Sequence, residues 1–239
     1  MTAGPLALVG SGEYLPVMAD VERRLIEGRP PRYVQIPTAA AHEGAASLDR
    51  WITLGREQAE RLGVEAVPLV VHNRVEADDA SLAAQVEGAG LISLSGGSPT
   101  LLAKALRGSA VWAAIEAAWR GGSALAGCSA GAMALTSWVP SLRRPGLDPE
   151  QGLGLVPHLR VIPHFDRFER RMPDLAGRYL ARAPEGTAVV GVDEETALVW
   201  DGGGWAVEGV RNVWVLRRDG RTPYAAGTVL DLPPPGAEG

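Results

Sequence analysis

Short apolar runs that each stop on a glycine or proline turn, and then give way to a helical pattern, leave this chain few architectures. Leu6–Val9 ends in Gly10-Ser11-Gly12, Arg32–Ile36 closes on Pro37-Thr38, and Leu91–Leu94 runs into Ser95-Gly96-Gly97-Ser98-Pro99. Residues 123–126 lead at once into Gly127-Cys128-Ser129-Ala130-Gly131-Ala132, and residues 64–71 form a further apolar run. Helical patterns fall between them at 46–62, 78–86 and 111–119, the first stopped by Gly63 and the last by Gly121-Gly122. Strands without an exposed polar face, alternating with helices, indicate crossover units: an α/β fold with a mostly parallel central sheet and helices on both faces. From about residue 185 the pattern becomes β-rich, with segments 187–192, 196–200, 205–210 and 213–216 separated by turns such as Asp201-Gly202-Gly203-Gly204. That is hairpin chemistry and predicts an antiparallel C-terminal part, appended to the same sheet or packed at its edge. Residues 1–230 read as a single domain, and 231–239, with Pro233-Pro234-Pro235, as a flexible tail.

Composition narrows the function. The 239 residues carry 23 Lys and Arg against 28 Asp and Glu, a net charge of −5, which gives no basic face for nucleic acid. No apolar run approaches the ~18 residues of a membrane helix, and the N-terminus lacks a secretory pattern, so a cytoplasmic enzyme that binds no membrane is expected. A single cysteine, Cys128, allows neither a disulfide framework nor a cysteine-rich zinc site, and no metal is expected. No cofactor is expected either: Gly96-Gly97 lacks the lysine and spacing of a phosphate-binding loop, and Gly10-Ser11-Gly12 lacks the third glycine of a dinucleotide fingerprint.

Gly127-Cys128-Ser129-Ala130-Gly131 has the small-residue spacing of a nucleophile elbow. A nucleophile on a sharp strand-to-helix turn needs small neighbours two residues away, because larger side chains would strike adjacent strands. The turn exposes the hydroxyl at the carboxyl edge of the sheet and leaves the amide of Ala130 free to stabilise an oxyanion. Cys128 is the rival nucleophile, but shifting the elbow by one residue would put Ala126 and Ala130 at the glycine positions, so the register favours Ser129. Of four histidines, His164 is best placed as a base, since it follows Val161-Ile162-Pro163 at the end of an apolar strand. His158 lies at the opposite end of that strand, and His42 and His72 stand in polar loops. An acid to fix the imidazole tautomer is available from Asp193-Glu194-Glu195 at another strand end, while Asp166 is placed to cap a helix rather than to orient the ring. Gly96-Gly97 offers a second oxyanion donor or, alternatively, an ordinary turn or a phosphate cradle.

In chain order these pieces resemble the serine-peptidase family that contains cyanophycinase and aspartyl dipeptidase (dipeptidase E). The matching segments are Gly10-Ser11-Gly12-Glu13, Leu94-Ser95-Gly96-Gly97, Gly127 to Ala132, Pro163-His164-Phe165 and Gly191-Val192-Asp193-Glu194-Glu195-Thr196-Ala197-Leu198. The resemblance implies a fold like the class I glutamine amidotransferases and a Ser–His–Glu triad of Ser129, His164 and Glu194. It also implies an oxyanion hole made by the amides of Gly97 and Ala130. Substrate contacts are then expected from Ser98, Arg167, Arg170 and Glu13. Ser98-Pro99 stands where the family's aspartyl dipeptidases and cyanophycinases usually carry Asn or Asp with a Gln or Thr, so the side-chain preference stays open. Arg167 and Arg170 either clamp a substrate carboxylate or form a solvated helix face.

The expected activity is hydrolysis of small peptides or isopeptides through an acyl-enzyme. Two alternatives remain at this level: a catalytically silent relative that binds an amino-acid-derived ligand, and an amidotransferase-like enzyme using Cys128. The family includes dimers, so a homodimer is among the expected assemblies.

Overall fold

A computed structural model describes residues 2–140, 149–172 and 174–236, without the side chains of residues 169 and 170. The first half alternates as its pattern requires: β1 (Leu6–Val9), α1 (Ala19–Ile26), β2 (Arg32–Ile36), α2 (Ala45–Leu62) and β3 (Glu65–Pro68). The short helices α3 (Arg74–Ala77) and α4 (Ala80–Ala84) follow, then β4 (Leu91–Leu94), α5 (Pro99–Leu106), α6 (Ala110–Arg120), β5 (Ala124–Cys128) and α7 (Ala130–Ala134). The helix expected over 78–86 is thus only the five-residue α4, and α3 before it was not expected; each starts on its own side-chain cap, Asp79 and Asn73. The run at 64–71 yields only a four-residue strand, which ends on Pro68, a residue with no amide to continue a ladder.

A small ribbon, β6 (Trp138–Val139) with β7 (Glu150–Gln151), precedes the second half. There β8 (Leu159–Ile162), α8 (Phe165–Arg171), α9 (Leu175–Ala181) and β9 (Ala188–Val192) lead into β10 (Thr196–Trp200), β11 (Trp205–Gly209), β12 (Asn212–Arg217), β13 (Gly220–Ala225) and β14 (Val229–Leu230). The β-rich part is shared between two sheets. The main sheet has eight strands in the order β14-β11-β10-β1-β5-β4-β2-β3, parallel from β1 to β3 and antiparallel from β10 outward. A second sheet, β13-β12-β9-β8, pairs β8 and β9 in parallel and the remainder antiparallel.

Period-two alternation explains why the central strands are apolar on both faces. Leu6 and Leu8 of β1, with Ile92 and Leu94 of β4, pack towards Leu102, Trp112 and Ile115. Ala7 and Val9, with Ala124, Ala126 and Cys128, pack on the other face towards Val21 and Leu25. The second sheet is covered by α8 and α9 through Ile162, Phe165, Tyr179 and Leu216.

The two sheets meet where the active chemistry is expected. Gly10 N donates to Thr196 O at 2.9 Å and Glu195 N donates to Ser11 O at 3.1 Å, tying the turn after β1 to the turn after β9. The segment after Asp231 is also held: Trp205 Nε1 donates to Pro233 O at 2.9 Å and Gly236 N to Leu155 O at 2.7 Å. Among the described residues, no helix is long and apolar enough to cross a membrane.

Candidate active site

Ser129 follows the last residue of β5 and starts α7 with φ 51° and ψ −104°, a conformation that costs a non-glycine residue free energy. The surroundings hold it there: Ser129 N donates to Val9 O at 2.9 Å, and Met133 N donates to Ser129 O at 3.1 Å. The small neighbours have steric causes. A Cβ on Gly127 would lie 2.7 Å from both Gly131 C and the Leu135 side chain, and one on Gly131 would strike the backbone of Leu94. Only three non-glycine residues among those described have positive φ, namely Ser129, His164 and Glu195, and all three stand at this sheet edge.

His164 occupies the N-cap of α8 in the left-handed region, and its carbonyl accepts from Arg167 N and Phe168 N. The ring bridges two residues: Nε2 is 3.0 Å from Ser129 Oγ, and Nδ1 is 2.8 Å from Glu194 Oε1. A carboxylate only accepts, so Nδ1 carries the proton and Nε2 is left to accept from the serine hydroxyl. The imidazole is 30% exposed and the Glu194 side chain 12%, so the carboxylate lies beneath the ring and the ring at the rim. Phe168 packs edge-on against the imidazole at 5.8 Å.

The acidic triplet divides by strand geometry. Asp193 turns into the protein, where Trp214 Nε1 (3.1 Å) and Asn212 N (3.3 Å) donate to it, and burial raises its pKa. Glu194 faces the imidazole, and Glu195 takes the left-handed turn beyond it. Asp166 does not reach the ring; its Oδ1 accepts from Glu194 N at 3.1 Å and its Oδ2 pairs with Arg211 at 3.0 Å.

The glycine loop after β4 lies beside the serine, since a Cβ on Gly96 would be 3.7 Å from Ser129 Cβ. Gly96 N donates to Glu13 Oε1 at 3.3 Å and Ser98 N to Ala39 O at 2.8 Å. The intervening amide of Gly97, like that of Ala130, meets no acceptor among the described residues. Gly97 has φ 136°, and any Cβ there would collide with the Ala39–Ala40 backbone, so only glycine suits the position.

The residues expected to touch substrate are disposed differently from one another. Ser98 caps α5, its Oγ accepting from Leu101 N at 3.4 Å. Arg167 donates through Nε to Glu194 Oε2 at 2.7 Å, a partner that spacing along the chain does not reveal. Glu13 is buried, with both carboxylate oxygens engaged inside the protein. The side chain of Arg170 lies outside the described residues. Two aromatic residues that sequence reasoning missed, Tyr14 and Trp51, pack edge-to-face at 5.9 Å beside Gly96, and Tyr14 Oη bonds Ser95 Oγ at 2.8 Å. Cys128 is buried, and its thiol donates to Glu13 Oε2 at 2.8 Å. Burial first, and the Glu13 charge second, push its pKa well up, so the thiol stays protonated and is a poor nucleophile.

The family model that matches this chain is that of peptidase family S51, over residues 6–207. The chain belongs to that family. This S51 protein is a serine peptidase, a hydrolase of peptide bonds. It is similar to the crystal structure of a peptidase from an acI-B1 Actinobacterium, at 41% identity and a TM-score of 0.89, over 96% of this chain and 97% of that one. It also shares the fold of a putative peptidase E protein from Listeria monocytogenes EGD-e, at 18% identity and a TM-score of 0.64, over 87% of this chain and 100% of that one. No curated protein matches the sequence. The S51 fold seen here is the α/β arrangement expected from the sequence, with a mostly parallel central sheet and an antiparallel C-terminal part.

Proposed function

We propose that this S51 peptidase cleaves small peptides or isopeptides through Ser129, with His164 as general base and Glu194 as the acid that orients it. The observation that carries the reading is the continuous hydrogen-bonded path from Ser129 Oγ through both nitrogens of His164 to Glu194, at 3.0 and 2.8 Å, on a strained elbow.

In acylation Ser129 Oγ attacks the scissile carbonyl carbon as its proton passes to His164 Nε2. The carbonyl oxygen becomes an oxyanion, for which the unengaged amides of Gly97 and Ala130 are the donors; losing one such donor costs about 10²–10³-fold in rate. The C–N bond then breaks, and the departing amine takes the proton from His164. Water attacks the resulting ester with His164 again as base, the carboxylic acid leaves, and Ser129 recovers its proton. Glu194 stays ionised throughout and stabilises the imidazolium. Cys128 is not the nucleophile in this scheme, because its thiol is buried and protonated.

The test is a panel of Asp-X, neutral and β-aspartyl dipeptides, together with a fluorophosphonate probe. The wild type is expected to be labelled and to turn over at least one panel member, and Ser129→Ala to do neither. Iodoacetamide is expected to leave the native enzyme active. Labelling that persists in Ser129→Ala overturns the serine, and inactivation by iodoacetamide returns the choice to Cys128.

A further inference from the structure

Strands β4 and β5 are held in register as far as the pair Leu94–Gly127, and the ladder stops there. The two segments required for the chemistry proposed above, the Gly96-Gly97 loop and the Ser129 elbow, both lie just beyond that last pair. Something other than sheet hydrogen bonding must keep them at a fixed separation.

Glu13 makes that link. It leaves the turn after β1 and enters the interior, only 8% exposed. Its Oε2 accepts from the thiol of Cys128, the residue before the nucleophile, at 2.8 Å, and its Oε1 accepts from Gly96 N at 3.3 Å. The other ties of the loop fall on either side: Ser95 N to Ile36 O, Ser95 Oγ to Tyr14, and Ser98 N to Ala39 O. Among the described residues the Gly96 amide has Glu13 alone. Two donors facing one side chain call for a group that accepts at both ends, which a carboxylate does and a carboxamide does not. Occupying the Gly96 amide also leaves its neighbour, Gly97, as the free donor.

We infer that Glu13 is a positioning residue: it clamps the glycine loop to the elbow strand and so sets the Gly97 amide against the oxygen that develops charge on reaction at Ser129. This assigns it a role other than the substrate contact expected from its place in the sequence, and it rests on Ser129 being the nucleophile. An oxyanion donor moved by a fraction of an ångström loses its preference for the transition state while substrate binding persists.

The experiment measures kcat and KM on the panel dipeptide turned over fastest, and the second-order rate of phosphonylation by a fluorophosphonate. It compares the wild type with Glu13→Ala, Glu13→Gln, Glu13→Asp and Ser129→Ala. Glu13→Ala is expected to lower kcat and the phosphonylation rate by about 10–100-fold with KM within about threefold. Glu13→Gln, whose carboxamide keeps an acceptor for Gly96 but loses the one for Cys128, is expected to recover only part of that loss. Should the alanine variant not fold, Glu13→Asp, one methylene too short to span both donors, carries the same expectation. Rates within about threefold of wild type in Glu13→Ala or Glu13→Asp overturn the inference, and so does a loss confined to KM, the mark of a substrate contact. If no panel peptide is turned over, the phosphonylation rates decide alone. Ser129→Ala separates the two readings: labelling retained there removes the nucleophile assignment, whereas labelling lost there but unimpaired in Glu13→Ala removes only the clamp.

Discussion

Arg167 donates through Nε to Oε2 of Glu194 at 2.7 Å, while the other oxygen of that carboxylate lies 2.8 Å from His164 Nδ1. Glu194 is therefore gripped from both sides, by the imidazole of His164 and by a guanidinium one turn further along α8. The arginine side chain is 64% exposed, so solvent screens the pair and its contribution to stability is small. Its effect is orientational, since it stops the carboxylate from swinging away from the imidazole.

Arg167→Gln is accordingly expected to lower kcat/KM by about 3–10-fold with little change in melting temperature, and Arg167→Lys to lose less, because the charge survives but the fork does not. Glu194→Gln, which presents an amide to Nδ1 and favours the wrong tautomer, is expected to lose about 10²–10⁴-fold. Steady-state kinetics on a panel dipeptide check all three. Wild-type rates in Arg167→Gln would show that Glu194 holds its place unaided.

The strain at Ser129 has a separate readout. Alanine at this position keeps the positive φ penalty, whereas glycine relieves it at some cost in chain entropy. Both variants should be inactive, yet Ser129→Gly should be more stable than Ser129→Ala by about 1 kcal/mol, or roughly 2–4 °C for a domain of this size. Thermal melts of the two variants side by side test this, and equal melting temperatures would mean that the elbow stores no strain.

Away from the site, Glu22 is fully buried between α1 and the sheet, where Gln58 Nε2 (2.5 Å) and Tyr33 Oη (3.1 Å) donate to its carboxyl. Burial, the largest cause, raises its pKa from 4.5 to about 8. The folded protein thus holds a proton that the unfolded chain releases near pH 4.5, and stability falls as pH rises from there to about 8, then levels off. Glu22→Gln, which carries no titrating group, should flatten that part of the melting profile and be the more stable protein above pH 8. A profile whose slope across this window is the same in both proteins would show that Glu22 does not contribute.

Gly191, on β9 three residues before Glu194, lies against the ring of Phe165, the first residue of α8 after His164; a Cβ there would overlap the ring. Gly191→Ala should therefore push α8 outward, lowering the melting temperature by several degrees and reducing kcat, although position 191 touches no reacting atom. A second change, Phe165→Leu, should restore part of both by making room. Full activity in Gly191→Ala alone would mean that His164 is decoupled from this packing.

Much of this was legible in the residues. The alternation of apolar runs and helices yields the parallel core because strands buried on both faces cannot alternate in polarity. The elbow was legible through its small neighbours, whose steric reason is now visible at Gly127 and Gly131. Less legible was the division of the β-rich part into two sheets, with β10, β11 and β14 extending the main sheet and β9, β12 and β13 joining β8. Hairpin signals specify that strands reverse, not which sheet receives them, because pairing across many residues is decided by packing rather than by the turn.

By itself the sequence determined what short-range physics governs: where strands stop, where only a glycine fits, and which small-residue turn presents a hydroxyl at a sheet edge. Tertiary structure alone decided which way the acids face. Asp193 and Glu194 are neighbours in the chain, yet one is committed to Trp214 and the other to His164, while Glu13 turns inward to Cys128 and Arg167 outward to Glu194. Those choices depend on contacts between residues 21 to 115 positions apart, made only once each sheet has brought its own strands and turns together.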